Sequence, residues 1–241
     1  MRMGKTAVIS GASSGIGRAV CEALLRQGYG VVGLARDFAK FPCRHPDFTA
    51  HSVDLSDLVS LPARLKRVAE TCADAEALIC CAGRGQFGHL EEFSYEQIRE
   101  LIDLNFTAQA YLARTFLPHM KRAGRGDLLF MGSEAGLRGS RRGSVYCASK
   151  FALRGFAQAL REECAASGIR VTIINPGMVL TPFFDDLDFG PGPEPANYVL
   201  PEDIADLVTS ILSTRSGTVF DEVDVSPLKR VVDFRKKRGK E

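Results

Sequence analysis

The chain has 241 residues, 45% hydrophobic and 25% charged, which suits one large α/β domain or two small ones around a substantial core. Its net charge is only +2, so the whole molecule has no field suited to holding nucleic acid, and no apolar run approaches the ~20 residues that span a bilayer. Seven cysteines, at 21, 43, 72, 80, 81, 147 and 164, form an odd set without ligand-like spacing; this implies reduced thiols in the cytosol and no metal site.

Met1-Arg2-Met3-Gly4-Lys5 leads directly into an apolar strand pattern, so no signal peptide is expected. Thr6–Ser10 reads as a first strand, and Ile16–Gln27 as a helix after a glycine-rich turn. Gly30–Ala35 and Phe48–Val53 are further strands, followed by a helix over Asp57–Thr71 and a strand over Ala77–Cys81. Apolar residues near period 3.6 predict one long helix over Ser94–Ala123. Then come a strand over Asp127–Met131, a long helix over Val145–Ser167 and a strand over Ile169–Asn175. Pro201-Glu202-Asp203 opens a helix running to Ser213, and Thr218–Val223 would be the last strand.

Strands alternating with helices imply a doubly wound parallel sheet of about seven strands, covered on both faces, in a single domain over 1–241. The Pro-, Gly- and Asp-rich stretch around 183–200 is placed as a lid. Residues 226–241, with Arg235-Lys236-Lys237-Arg238, read as a basic, solvated tail.

Between the first strand and its helix lies Ser10-Gly11-Ala12-Ser13-Ser14-Gly15-Ile16-Gly17. Glycines there permit a tight turn and close backbone approach, and the helix N-terminus presents N–H groups to a pyrophosphate. A packing turn without ligand is the other reading of such a loop. At the end of the second strand stands Ala35 and then Arg36, where an acid would bind an adenosine 2′-hydroxyl; a guanidinium matches a 2′-phosphate, so NADP(H) is favoured over NAD(H). Asp37 follows directly, and an ordinary solvated Arg36 is the alternative.

Tyr146 and Lys150, four apart on a helix, project from one face, and Ser133 ends the fifth strand thirteen residues earlier. Strand C-termini form the ligand crevice of an open parallel sheet. Together with the glycine turn, Asp54, Cys81-Ala82-Gly83, Asn105, and Pro176-Gly177 with Thr181, these motifs resemble the short-chain dehydrogenase/reductase family over residues 4–225. Three residues between the first two glycines and a 241-residue length fit its short oxidoreductase branch.

The resemblance implies hydride transfer between a nicotinamide and a carbonyl or secondary alcohol. Tyr146 would be the general acid/base, Ser133 would hold the substrate oxygen, and Lys150 would bond the nicotinamide ribose and, together with the positive nicotinamide of the oxidised complex, favour the phenolate. Asn105 would hold a relay water, with a satisfied amide at a helix kink as the compatible structural reading. Gly11, Ser13, Ser14, Gly15, Ile16, Gly17, Cys81, Ala82, Gly83, Pro176 and Gly177 would line the coenzyme; Asp54 would contact adenine, and Thr181 the carboxamide. Cys81 departs from the family's asparagine, whose amide ties this turn to neighbouring backbone. The resemblance also implies a homotetramer or dimer through the long helices. An NAD-linked alcohol dehydrogenase and a non-catalytic dinucleotide sensor are the competing readings.

Arg138-Gly139-Ser140-Arg141-Arg142-Gly143 lies on a loop expected to border the substrate, facing the lid acids Asp185, Asp186 and Asp188. An arginine there, Arg138 foremost, could receive a substrate carboxylate or phosphate; alternatively the arginines are solvated or pair with the lid acids.

Overall fold

The structure is a computed structural model and describes residues 5–39 and 41–234. Seven parallel strands form one sheet in the order β3-β2-β1-β4-β5-β6-β8. They are β1 (Thr6–Ser10), β2 (Gly30–Ala35), β3 (Phe48–Ser52), β4 (Ala75–Cys80), β5 (Gly126–Met131), β6 (Ile169–Pro176) and β8 (Glu222–Val225). The order reverses between β1 and β4, the position at which a doubly wound sheet opens a crevice beyond its strand ends.

Alternate residues of the central strands serve opposite faces, which is why these strands read as unbroken apolar runs. On β1, Val8 packs with Leu34, Leu78, Leu128 and Ile173 beneath α2 (Leu61–Thr71), α4 (Ala108–Ala123) and α5 (Ser144–Ala165). Its neighbours Ala7 and Ile9 face the other way, with Ile79, Leu129 and Ile174, under α1 (Gly15–Arg26) and α6 (Pro201–Ser213).

The predicted helix over Ser94–Ala123 is not continuous. α3 (Tyr95–Ile102) gives way to a π-turn at Asp103–Thr107 before α4 begins. The widened turn swings Asn105 inward, where it is fully buried. α2 starts at Leu61 rather than Asp57, because the Asp57 carboxylate accepts the Ser60 N–H at 3.2 Å and holds 57–60 in a turn. The last sheet strand starts at Glu222 rather than Thr218, since it pairs only with the C-terminal half of β6, Ile173–Pro176.

Beyond β8 the sequence expectation of a solvated tail is corrected in its first part. β9 (Val232–Phe234) pairs antiparallel with β7 (Phe189–Pro191) of the lid stretch, and the Gly192 N–H donates to the Val231 carbonyl at 3.0 Å. The basic stretch Arg235–Arg238 lies outside the described residues. Among the described residues, no helix is long and apolar enough to cross a membrane.

Candidate active site

The turn after β1 is built for close backbone approach. Gly11 and Gly15 have φ of 69° and 51°, in the left-handed region, and a Cβ on Gly17 would collide with the Gly11 carbonyl. A Cβ on Gly11 would stand 3.0 Å from the Ala82 backbone, and one on Gly15 3.3 Å from the Thr181 methyl. Ser14 occupies the N-cap of α1, yet its hydroxyl makes no capping bond, so the helix's first N–H groups are not satisfied by that side chain. Ile16, in the first turn of α1, lines the cavity described below.

Across the switch point, Cys81-Ala82-Gly83 follows β4. The amide that Cys81 lacks is supplied from elsewhere. The Ser10 hydroxyl accepts the Ala82 N–H at 3.2 Å, and Gln109 donates Nε2 to the Ala82 carbonyl at 3.0 Å and to the Leu104 carbonyl at 2.9 Å. Gln109, buried at the start of α4, escaped the sequence reading. Burial pushes the Cys81 thiol up to about 12, while the Lys150 charge draws it down. All seven cysteines are free thiols, and no metal-binding group of His, Cys, Asp and Glu occurs among the described residues.

Ser133 follows β5 by two residues, and its hydroxyl accepts the Ala135 N–H at 3.1 Å. Tyr146 and Lys150 rise from the first turns of α5, each only 6% exposed. Burial pushes the Tyr146 phenol up to about 12, against the opposing effect of a hydrogen bond with Ser133. Lys150 donates Nζ to the Met131 carbonyl at 2.9 Å and lies 5.9 Å from the centre of the Tyr146 ring. Burial pulls its ammonium down to about 8. Burial is thus the dominant influence on the phenol in the protein without coenzyme, ahead of the Ser133 hydrogen bond that lowers it.

Asn105 joins this cluster from the π-turn. Its Oδ1 accepts the Arg84 N–H at 2.9 Å, and its Nδ2 donates to the Arg84 carbonyl at 3.0 Å and to the Ser149 hydroxyl at 3.1 Å. Ser149 in turn donates to the Tyr146 carbonyl at 2.7 Å. A Cβ on Gly83 would meet Asn105 Oδ1 at 3.1 Å and Lys150 Nζ at 3.7 Å, so Gly83 leaves the gap between them open.

A cavity of about 760 Å³ reaches Ile16, Cys81, Ser133, Tyr146, Lys150 and Thr181 together. Pro176 and Gly177, at the end of β6, form its floor; Thr181 donates to the Val179 carbonyl at 3.3 Å. Gly11, Ser13, Ser14, Gly15, Gly17, Ala82 and Asn105 are not among the lining residues, and Arg36 and Asp54 also stand apart from them. Arg36, exposed at the end of β2, accepts the Ser52 hydroxyl at its carbonyl at 2.7 Å. Asp54 accepts the Ser56 N–H and hydroxyl at 2.9 and 2.6 Å; these bonds, then the Arg36 charge, hold its carboxyl below the ordinary range.

Aromatic rings extend the cavity outward from Tyr146. Phe87 lies 5.0 Å from the Tyr146 ring and 4.9 Å from Phe189, and Phe183 lies 5.9 Å from Tyr146. Phe87 was missed from sequence; an apolar ring within Gly85-Gln86-Phe87-Gly88 was its only signal. Arg230, Val232 and Phe234 of the C-terminal segment also line the cavity, Phe234 being 74% exposed.

Comparison with known proteins places this arrangement. The family model described as short chain dehydrogenase matches residues 5–189. An uncharacterized oxidoreductase of Staphylococcus saprophyticus is 31% identical over 232 residues, covering 93% of this chain and 97% of the relative. The mouse 17-beta-hydroxysteroid dehydrogenase type 1 is 34% identical over 198 residues, 77% of this chain but 57% of the relative. Among solved structures, the alcohol dehydrogenase of the archaeon Thermococcus sibiricus complexed with 5-hydroxy-NADP superposes with a TM-score of 0.84 at 29% identity, covering 94% and 98% of the two chains. The chain belongs to the short-chain dehydrogenase family and is an oxidoreductase acting on a CH–OH group with a nicotinamide dinucleotide.

Proposed function

We propose that the protein is an NADP(H)-dependent carbonyl reductase in which Tyr146 delivers the proton. The observation that carries this reading is the convergence of Ser133, Tyr146 and Lys150 on one cavity beyond the ends of β4, β5 and β6, with the buried Asn105–Ser149 chain hydrogen-bonded to the Tyr146 backbone behind it.

The residues present fit the coenzyme. Gly11, Gly15 and Gly17 leave the backbone bare where a pyrophosphate would sit, and the start of α1 would balance its charge. Cys81, Ala82 and Gly83 would pass beneath the ribose and Thr181 would meet the carboxamide, with Pro176 and Gly177 behind the ring. Arg36 would take the 2′-phosphate, and Asp54 the adenine edge. The bound nicotinamide supplies or accepts the hydride.

The chain's own groups handle the proton and the oxygen. At neutral pH the Tyr146 phenol holds its proton, the state a general acid requires for reduction of a carbonyl. Its hydrogen bond with Ser133 sets the two hydroxyls to grip one substrate oxygen, which steadies the developing charge. Lys150, anchored on Met131, would hold the nicotinamide ribose, and the buried Asn105 would fix a water from which Tyr146 is reprotonated. The chain acts as a single catalytic domain, with 183–200 as the lid. We propose further that it assembles as a homotetramer or dimer through α4 and α5, where the 43% exposed Phe151 offers apolar surface.

The decisive test is Tyr146→Phe. Turnover of a ketone panel should fall at least about 10²-fold while the fold and NADPH binding persist; near-normal turnover would overturn the assignment.

A further inference from the structure

The cavity changes character along its length. Near Tyr146 its wall is aromatic, from Phe87, Phe183 and Phe189, whereas its mouth carries Arg138, Arg141, Arg142 and Arg230. These arginines come from two separate segments. Arg138, Arg141 and Arg142 precede α5, and Arg230 stands two residues before β9, on the segment that β7 holds against the lid.

They are not equivalent. Arg142 is bound to Asp188 of the lid at 3.1 Å. Arg230 donates only to the Ser226 hydroxyl, at 3.0 Å. Arg138 and Arg141 are exposed and make no side-chain hydrogen bond or ion pair among the described residues. Three guanidiniums at one opening thus have no acid partner among the described residues. Glu134 is the acid among the lining residues; its Oε2 lies near Gly177, and it shares a small side cleft with Arg230. An anion at this opening would meet three arginines against one acid. Like charges gathered at an apolar cleft focus their field into it, since the low-dielectric walls exclude screening water.

We propose that the substrate is an amphipathic anion: an apolar, ring-sized body against the phenylalanines, a carbonyl or alcohol at Tyr146, and an oxyanion group received by Arg138, Arg141 and Arg230. This rests on the oxidoreductase reading above and names its substrate class. Arg142, its charge already met by Asp188, is not assigned to anion capture. The C-terminal segment becomes a specificity element, because it brings Arg230 to the mouth from 92 residues after Arg138 in sequence.

The test uses the NADP-loaded protein with 4-oxo-4-(2-naphthyl)butanoate, its methyl ester, and the corresponding 3-phosphate ester of the naphthyl propanone. Calorimetry should show both anions binding at least about ten-fold more tightly than the neutral ester. That preference should shrink with rising salt and vanish in the Arg138→Ala/Arg141→Ala/Arg230→Ala variant, whose affinity for the neutral ester should stay unchanged. A preference for only one anion would identify the source as carboxylate or phosphate, and either supports the proposal. Equal affinity for acid and ester, no measurable binding of any of the three, or a preference that survives loss of the arginines would overturn it. Turnover of the neutral ester, with its dependence on Tyr146, reports on the oxidoreductase reading separately.

Discussion

Arg142 reaches Asp188 at 3.1 Å and so bolts the loop before α5 to the lid. The same residue has a φ of 62°, in the left-handed region that costs a non-glycine residue roughly 1 kcal/mol or more, and its carbonyl accepts the Gly88 N–H at 2.8 Å. One strained residue therefore joins three loops around the cavity. Of the readings open for these arginines, pairing with a lid acid holds for Arg142.

Loss of this bolt should loosen the lid without touching the chemistry. Arg142→Ala and Asp188→Asn should each raise KM several-fold, in keeping with about 1 kcal/mol for a half-exposed pair, with kcat nearly constant. Faster proteolysis between β7 and α6 should accompany the change. Arg142→Gly should match the alanine variant in KM yet be more stable, because glycine accepts the positive φ.

Lys150 should impose opposite trends on activity and stability. Its ammonium, lowered to about 8, is charged below that pH and neutral above it. The kcat/KM measured for the coenzyme should therefore fall as pH rises through about 8, and Lys150→Arg should retain its residual value across that range. For stability the sign reverses. Between about 8 and the ordinary 10.5, the unfolded chain keeps a proton that the folded chain has released. The wild type should gain stability with pH across this window relative to Lys150→Met, as read by denaturant titration.

Arg36→Asp should invert coenzyme preference. The substitution removes a phosphate partner, sets a carboxylate against the 2′-phosphate and offers a ribose acceptor instead. The ratio of kcat/KM for NADPH to that for NADH should fall at least about ten-fold. A wild type that already prefers NADH would refute the role given to Arg36.

Gln109→Leu should strike the turn that carries Cys81 and Ala82. Two backbone carbonyls lose a buried donor, a cost of about 1–2 kcal/mol and roughly 3–6 °C in Tm for a chain of this size. Coenzyme affinity should fall as well, since Ala82 would then be held by Ser10 alone.

What the sequence made legible was local or strictly periodic. Fully apolar strands such as Thr6–Ser10 announce a sheet buried on both faces, and Gly11, Gly15 and Gly17 stand where backbone geometry admits no side chain. Tyr146 and Lys150 were legible because four residues make one helical turn. The π-turn at Asp103–Thr107 was hidden, since a single extra residue hardly disturbs a hydrophobic period of 3.6. Gln109 was hidden because its partners are backbone atoms of another segment, and the backbone leaves no trace in side-chain patterning. The burial of Tyr146 was hidden for a related reason: the spacing to Lys150 is written in the sequence, but the depth at which the phenol sits is not.

The β7–β9 ribbon also sets an order of events in time. Its two strands flank β8, the last strand of the main sheet in chain order, so the ribbon cannot close until all seven sheet strands have been synthesised. On a chain that emerges N-terminus first, the dinucleotide cradle between β1 and β4 becomes available early, while the substrate wall waits for Val232–Phe234. On the proposed reading, a nascent chain completes its coenzyme cradle before its substrate wall.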